Sequence, residues 1–310
     1  MSRAALIGLD WGTSSFRAYL LAADGGILDR REAPAGILEV EDRDFAGVLR
    51  REVGAWLERD SALPLIASGM ITSRQGWVEL PYVACPADAA ALAQGLVAHE
   101  AWPGCTVRFV PGVSVTGADG VPDVIRGEET QILGLLDRDP AARLLVMPGT
   151  HCKWVLLEGS RIVRFATFMT GELFAVLKEH SILGRLMAGE APDAAAFERG
   201  VRYGLVPVGP AGGLLKRLFS ARTLGLFDEL PGTGTASYLS GLLLGAEIRE
   251  ALACLGGAKS AGAIRIVGSA ALERRYHTAL ALAGLEGREA APDAAAQGHI
   301  VLARAAGLFG

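Results

Sequence analysis

Cysteine is scarce in this chain of 310 residues: Cys85, Cys105, Cys152 and Cys254 lie far apart, with no CxxC pair. That spacing excludes a disulfide framework and a cysteine zinc site, and it fits a reducing compartment, so a cytoplasmic protein is expected. No run reaches the ~18 uncharged apolar residues of a membrane span. The chain enters an apolar strand almost at once, and neither a signal peptide nor a transit segment is expected. Neither sign of charge dominates, since 30 Lys and Arg against 34 Asp and Glu leave a net charge of −4. No block of like charge forms a tail, and nucleic acid is excluded as the main partner. Hydrophobic residues make up 51%, enough for a sizeable core. The length suggests two domains, at roughly 100–200 residues each.

Against that plain background two glycine-threonine turns stand out, each just after an apolar run. The first is Ile7-Gly8-Leu9-Asp10-Trp11-Gly12-Thr13-Ser14-Ser15. The second is Leu144-Leu145-Val146-Met147-Pro148-Gly149-Thr150-His151-Cys152-Lys153-Trp154. Each reads as strand, tight turn, strand. Glycine lets backbone approach a phosphate, and Thr or Ser adds hydroxyl and N–H donors. Two such turns, about a domain apart, suggest two lobes that each hand a hairpin to one nucleotide. Asp10 is a carboxylate placed to hold Mg²⁺ near those phosphates; a turn-capping Asp is the plainer alternative.

Apolar patterning predicts strands at Ala4–Leu9, Phe16–Ala22 and Ile27–Glu32, with a hairpin turn at Asp24-Gly25-Gly26. Helical spacing follows over Phe45–Glu58, then a strand at Leu65–Ser68, a helix over Asp88–His99, a strand at Val107–Val110 and a helix over Glu128–Leu136. The second half repeats the theme. Strands are predicted at Leu144–Met147, Trp154–Glu158 and Ile162–Thr167, then helices at Gly171–His180, Ala194–Tyr203, Leu214–Ala221 and Ser237–Leu255. A strand at Ile264–Val267 leads into Gly268-Ser269-Ala270, and Ala294–Leu308 is a closing helix. A meander followed by alternating helices and strands, twice over, predicts an α/β architecture with mixed sheets. Asp137-Arg138-Asp139-Pro140 breaks the helix between them. The lobes are therefore set at residues 1–137 and 138–310, with the closing helix free to contact the first.

The pattern resembles the sugar kinase, Hsp70 and actin superfamily, a two-lobed, ribonuclease H-like fold with mixed sheets and flanking helices in each lobe. A narrower resemblance rests on Asp10-Trp11-Gly12, Gly69-Met70, Arg126-Gly127-Glu128-Glu129-Thr130-Gln131, Met147 to Val155, Met169-Thr170-Gly171-Glu172-Leu173, and the run from Leu239 to Glu247. Together these resemble the 2-dehydro-3-deoxygalactonokinase family over essentially the full chain. The resemblance implies ATP and Mg²⁺ as cofactors and a small sugar acid as substrate, phosphorylated on the terminal hydroxyl of 2-dehydro-3-deoxy-D-galactonate. A kinase of this fold for another sugar or sugar acid is one alternative; a nucleotide-binding regulator of the actin-like kind is another. A homodimer is left open.

Within that resemblance, Gly12, Thr13, Ser14 and Ser15 form the first phosphate hairpin and Gly149 and Thr150 the second, while Gly268 and Ser269 lie near adenosine. In-line transfer needs a carboxylate to accept the proton of the attacking hydroxyl. Asp123, Glu128 and Glu129 compete for that role. Adjacent helical residues point about 100° apart, so one of the two glutamates is expected to face the cleft; Glu128 is preferred. Lys153 either stabilises charge on the phosphoryl group or binds the substrate carboxylate. Arg126 either pairs bidentately with that carboxylate or with Glu129. Ser73, Arg74, Gln75 and Trp77 follow a strand and are candidate substrate contacts, as are Trp11, His151 and Glu172. Each also has a plain reading as surface loop, core packing or helix cap. Cys152 is read as packing.

Overall fold

The computed structural model describes residues 3–189, 191–210, 212–256 and 262–309. It divides into two compact units. The first comprises Met1–Ala141, Leu157–Arg164 and Ala291–Gly310; the second comprises Ala142–Leu156 and Phe165–Ala290. The Asp137 break expected from sequence falls at the end of a helix a few residues before the first crossing.

Among the described residues the first unit has a six-stranded mixed sheet in the order β3-β2-β1-β4-β7-β6. β1 (Ala4–Trp11), β2 (Phe16–Ala22) and β3 (Ile27–Ala33) form the antiparallel meander. β4 (Leu65–Ser68) runs parallel to β1. Helix α1 (Phe45–Arg59) is capped by the Asp44 carboxylate, which accepts from Gly47 N, and it covers the sheet with Phe45, Leu49, Val53 and Trp56. The helix expected over Asp88–His99 is wrong in its second half. α2 spans only Ala89–Gln94 and stops at Gly95. Val97–Trp102 is strand β6, which pairs antiparallel with β7 (Cys105–Phe109). Glycine ends the helix, and the partner strand takes the alternating residues beyond it. A small sheet of β5 (Val83–Ala84), β8 (Val113–Thr116) and β9 (Pro122–Ile125) was not legible, being built from short segments. Helices α3 (Glu128–Arg138) and α10 (Ala294–Ala305) complete the unit.

A five-stranded sheet, β12-β11-β10-β13-β14, belongs to the second unit except for the β11–β12 end, Leu157–Arg164. β10 (Leu144–Met147) pairs antiparallel with β11 (Cys152–Glu158) and parallel with β13 (Ile264–Ile266). β12 (Arg161–Phe168) and β14 (Gly287–Glu289) form the edges. The sequence β12-β11-β10-β13-β14 repeats β3-β2-β1-β4-β7 strand for strand: a meander, then two parallel additions beside its first strand. Its helices are α4 (Thr170–His180), α5 (Ala194–Leu205), α6 (Leu214–Leu218), α7 (Ser220–Leu226), α8 (Gly232–Leu255) and α9 (Ala270–Leu282). The single helix expected over Leu214–Ala221 is two, α6 and α7. Buried Arg217 draws α6 onto the end of α5 by donating to the carbonyls of Tyr203, Gly204, Val206 and Pro207.

Glycines in the middle of α8 would weaken an isolated helix. Here they admit a neighbour. A Cβ on Gly241 would overlap Phe197 O, one on Gly245 would overlap Val201 O, and one on Gly200 would overlap Tyr238 O. Helices α5 and α8 thus touch backbone to backbone. Gly241→Ala is expected to cost about 1–3 kcal/mol through overpacking, seen as a lower Tm. Gly54→Ala in α1, where a Cβ meets only Arg50 Cγ at 3.7 Å, should instead stabilise by up to ~1 kcal/mol. Thermal melts of both variants check the pair.

Candidate active site

The first turn is a tight β1–β2 connection in which Gly12 N donates to Ser15 O at 2.9 Å. Ile37 N and Leu38 N in turn bond the carbonyls of Gly12 and Thr13 at 3.0 and 3.2 Å. Thr13 and Ser14 are left exposed and Ser15 half-buried. Asp10 lies just before this turn, opposite Arg17 on β2 and beside Ser68 on β4. Its side chain is 13% exposed, and Oδ2 sits 3.4 Å from Arg17 Nη1. Burial raises the Asp10 pKa above the usual carboxylate range. Arg17 opposes that shift, and the negative charge of Glu128 adds to it.

Glu128 opens α3. Gly127, at φ 105°, brings that helix start against the β4 turn: a Cβ there would lie 3.0 Å from Gly69 Cα. Glu128 is half-buried, and its Oε2 accepts from Arg126 N at 2.9 Å. Glu129 points the other way and is fully buried. Its Oε2 accepts from Gly127 N at 2.6 Å and its Oε1 from Thr130 Oγ1 at 3.1 Å. Burial, then the Glu128 charge, raises its pKa to about 7. Glu129 is thus enclosed, with both carboxylate oxygens engaged at the start of α3. Asp123 lies on edge strand β9, opposite Val115, where its Oδ1 takes the N–H of Val124 at 2.7 Å.

Three substrate candidates turn out to be framework. Trp11 is fully buried; its indole N–H donates to Ala35 O at 2.7 Å, and its ring packs edge-on to Phe16 and Phe45. Trp77 is half-buried; it stacks on Phe45 and meets Phe109 edge-on, packed against the core cluster. Among the described residues Arg126 is engaged by carbonyls and a hydroxyl. Its Nη1 donates to Thr72 O and Oγ1, both at 2.6 Å, and its Nη2 to Leu80 O at 2.9 Å, while the guanidinium lies over Tyr82. It ties down the segment that carries residues 73–77. Arg74 and Gln75 are exposed there, and Ser73 is half-buried.

In the second unit the β10–β11 turn rests on the start of α4. A Cβ on Gly171 would overlap Gly149 O, and Glu172 N donates to Thr150 O at 3.0 Å. His151 Nε2 hydrogen-bonds Glu172 Oε2 above the turn. Lys153 is buried, with Nζ donating to His151 O at 3.1 Å. Gly268 lies against Pro148, and Ser269 begins α9. So the structure brings together Gly149, Thr150, His151, Lys153, Glu172 and Gly268. A cavity opens beside them, lined by Pro148, Gly149, Thr170, Gly171, Ser240 and Tyr276, with Leu272 and Arg275 from α9. The α9 residues were missed because that helix was not predicted. Glu247 stood inside a quoted run, yet nothing in its spacing set it apart from the apolar α8 around it.

This arrangement, a glycine turn between two strands in each of two matching sheets, defines the class: the sugar kinase, Hsp70 and actin fold. Component A of Acidaminococcus fermentans (R)-2-hydroxyglutaryl-CoA dehydratase has the same fold, with a TM-score of 0.51 at 11% identity over 97% of this chain and 96% of that one. A Sinorhizobium meliloti crystal structure, provisionally assigned as a 2-dehydro-3-deoxygalactonokinase, aligns with a TM-score of 0.82 at 37% identity over 97% and 98% of the two chains. The 2-dehydro-3-deoxygalactonokinase of Escherichia coli (strain K12) is 34% identical over 297 residues, 95% of each chain. The probable 2-dehydro-3-deoxygalactonokinase DgoK1 of Rhizobium meliloti (strain 1021) is 38% identical over 293 residues, 93% of this chain and 92% of its own. The model of the 2-keto-3-deoxy-galactonokinase family matches residues 10–302, and the chain belongs to that family.

Because Glu129 holds its proton to about pH 7, against 4.5 for an ordinary glutamate, folding stability is expected to fall as pH rises from 4.5 to 7 and then level off. The shift corresponds to about 3 kcal/mol. Glu129→Gln keeps the acceptor for Gly127 N and removes the charge. Its Tm should exceed that of the parent chain at pH 8, with the gap closing towards pH 5, as read by thermal melts across that range.

Proposed function

We propose that the chain transfers the γ-phosphoryl group of ATP to the terminal hydroxyl of 2-dehydro-3-deoxy-D-galactonate. The observation that carries this reading is the pair of carboxylates at the end of β1 and the start of α3, Asp10 and Glu128, beside the first glycine turn, in a chain that matches the family over residues 10–302. The cavity and the Pro148–Thr150 turn of the second unit supply the nucleotide site. The base rests among Leu272, Arg275 and Ser240, and backbone N–H groups of the turn receive phosphate oxygens.

Asp10 suits Mg²⁺. The ion takes one or two protein carboxylates plus phosphates and water, and Asp10 is a desolvated carboxylate with the Arg17 guanidinium 3.4 Å off. Among the described residues no group of three or more His, Cys, Asp or Glu could hold a metal alone. Bound there, Mg²⁺ would neutralise phosphate charge. Glu128 is the proton acceptor: it is half-buried at the start of α3, near Asp10 and the first glycine turn. With Arg126 committed to Thr72 and Leu80, Arg74 is the exposed cation of its loop and the candidate partner for the substrate carboxylate. No helix among the described residues is long and apolar enough to cross a membrane. All four thiols are unpaired, and we place the reaction in the cytoplasm.

A coupled ADP-release assay with Mg-ATP tests the reading, using 2-dehydro-3-deoxy-D-galactonate with 2-dehydro-3-deoxy-D-gluconate alongside. Turnover is expected on the galactonate compound and should vanish in Asp10→Ala. Glu128→Gln should lower kcat by about 10²–10⁴-fold with KM for ATP little changed. Turnover on the gluconate compound alone would move the substrate. ATP binding without turnover on either acid would return the choice to a nucleotide-binding regulator.

A further inference from the structure

Beneath the second unit's cavity lies a carboxyl that the phosphoryl-transfer reading does not use. Glu247, in the middle of α8, is 2% exposed. Three donors converge on its Oε1: Trp154 Nε1 at 2.7 Å, Tyr276 OH at 2.8 Å and Cys152 Sγ at 3.0 Å. Tyr276 OH also lies 3.0 Å from Cys152 Sγ. The Thr170 hydroxyl bears on the same carboxyl, while Oε2 makes no hydrogen bond of normal geometry. Burial raises the Glu247 pKa, and the converging donors pull it back.

A buried carboxyl held by neutral donors is costly, and an apolar side chain would pack α8 without that cost. The partners it holds are the informative part. Cys152 and Trp154 belong to β11, directly after the Gly149-Thr150 turn. Tyr276 belongs to α9, the helix that Gly268 and Ser269 introduce. Thr170 begins α4, on which the turn rests. Thr170 and Tyr276 both line the cavity, and Glu247 does not. One side chain therefore ties together the strand after the phosphate turn, the helix under it and the helix along the cavity wall.

We propose that Glu247 is a positioning residue for the nucleotide: through Tyr276, Thr170 and the Cys152–Trp154 strand it sets the cavity wall and the phosphate turn in one register. It touches no substrate. The inference rests on the reading that the second unit holds ATP, and its test is separable from turnover.

The measurement is calorimetric titration of the full chain with ADP, with steady-state kinetics beside it. Glu247→Gln keeps the shape but gives the three donors a neutral acceptor. Tyr276→Phe keeps the ring in the cavity wall and removes one bond, so it reports even where Glu247→Gln folds poorly. Both variants are expected to weaken ADP binding and raise KM for ATP by roughly fivefold to tenfold, with KM for the sugar acid unchanged. A purely structural role would lower Tm and kcat but leave ADP affinity and both KM values as they were; that result overturns the proposal. ADP binding without turnover in the parent chain would overturn the kinase reading and leave this one standing. A parent chain that binds no ADP overturns both.

Discussion

Backbone-to-backbone contact through glycine is the constraint on which each unit depends. In the first unit, Gly134 of α3 and Gly298 of α10 leave no room for a Cβ against Ala294 O and Thr130 O. In the second, α5 and α8 meet through Gly200, Gly204, Gly241 and Gly245. Each contact fixes a helix that carries a carboxylate: α3 presents Glu128, and α8 presents Glu247. A larger residue at the crossing would displace the helix and shift its carboxylate with it.

The charges placed this way differ in kind. Asp10 and Glu128 each keep part of their surface open, and the charge of Glu128 adds to the rise that burial gives the Asp10 pKa. Glu129 and Glu247 are enclosed and satisfied mainly by neutral donors. Sequence neighbours on α3 thus serve opposite ends. Glu128 stays half-buried and accepts from Arg126 N; Glu129 closes the helix start by accepting the N–H of Gly127.

The two glycine turns, their flanking strands and the mixed α/β pattern were legible because the signals are local: an apolar run, then Gly-Thr, then another run. The repeated strand order was visible as theme without period. What could not be read was set by distant contacts. Val97–Trp102 looks helical in isolation and is a strand because β7 lies beside it. Trp11 follows Asp10 directly, but on a strand successive side chains take opposite faces, so one reaches the turn while the other enters the core. Arg126 looked like an anion ligand, and its partners are carbonyls brought in from Thr72 and Leu80, some fifty residues earlier. Glu247 gave no signal, since its partners sit on β11 and α9.

The path of the chain adds a consequence for synthesis. The first unit begins with β1 at residue 4 yet takes α10 from residues 291–310. There His299, neutral because burial lowers its pKa to about 3, lies within hydrogen-bond reach of Ser68 Oγ at 3.0 Å and covers Gly8. Until that stretch leaves the ribosome, one face of α3 and the side of β1 and β4 that α10 packs on lack their cover. The whole second unit emerges in the meantime and can fold first. The order of translation and the order of completion are therefore reversed: the unit that starts the chain is finished after the one inserted into it.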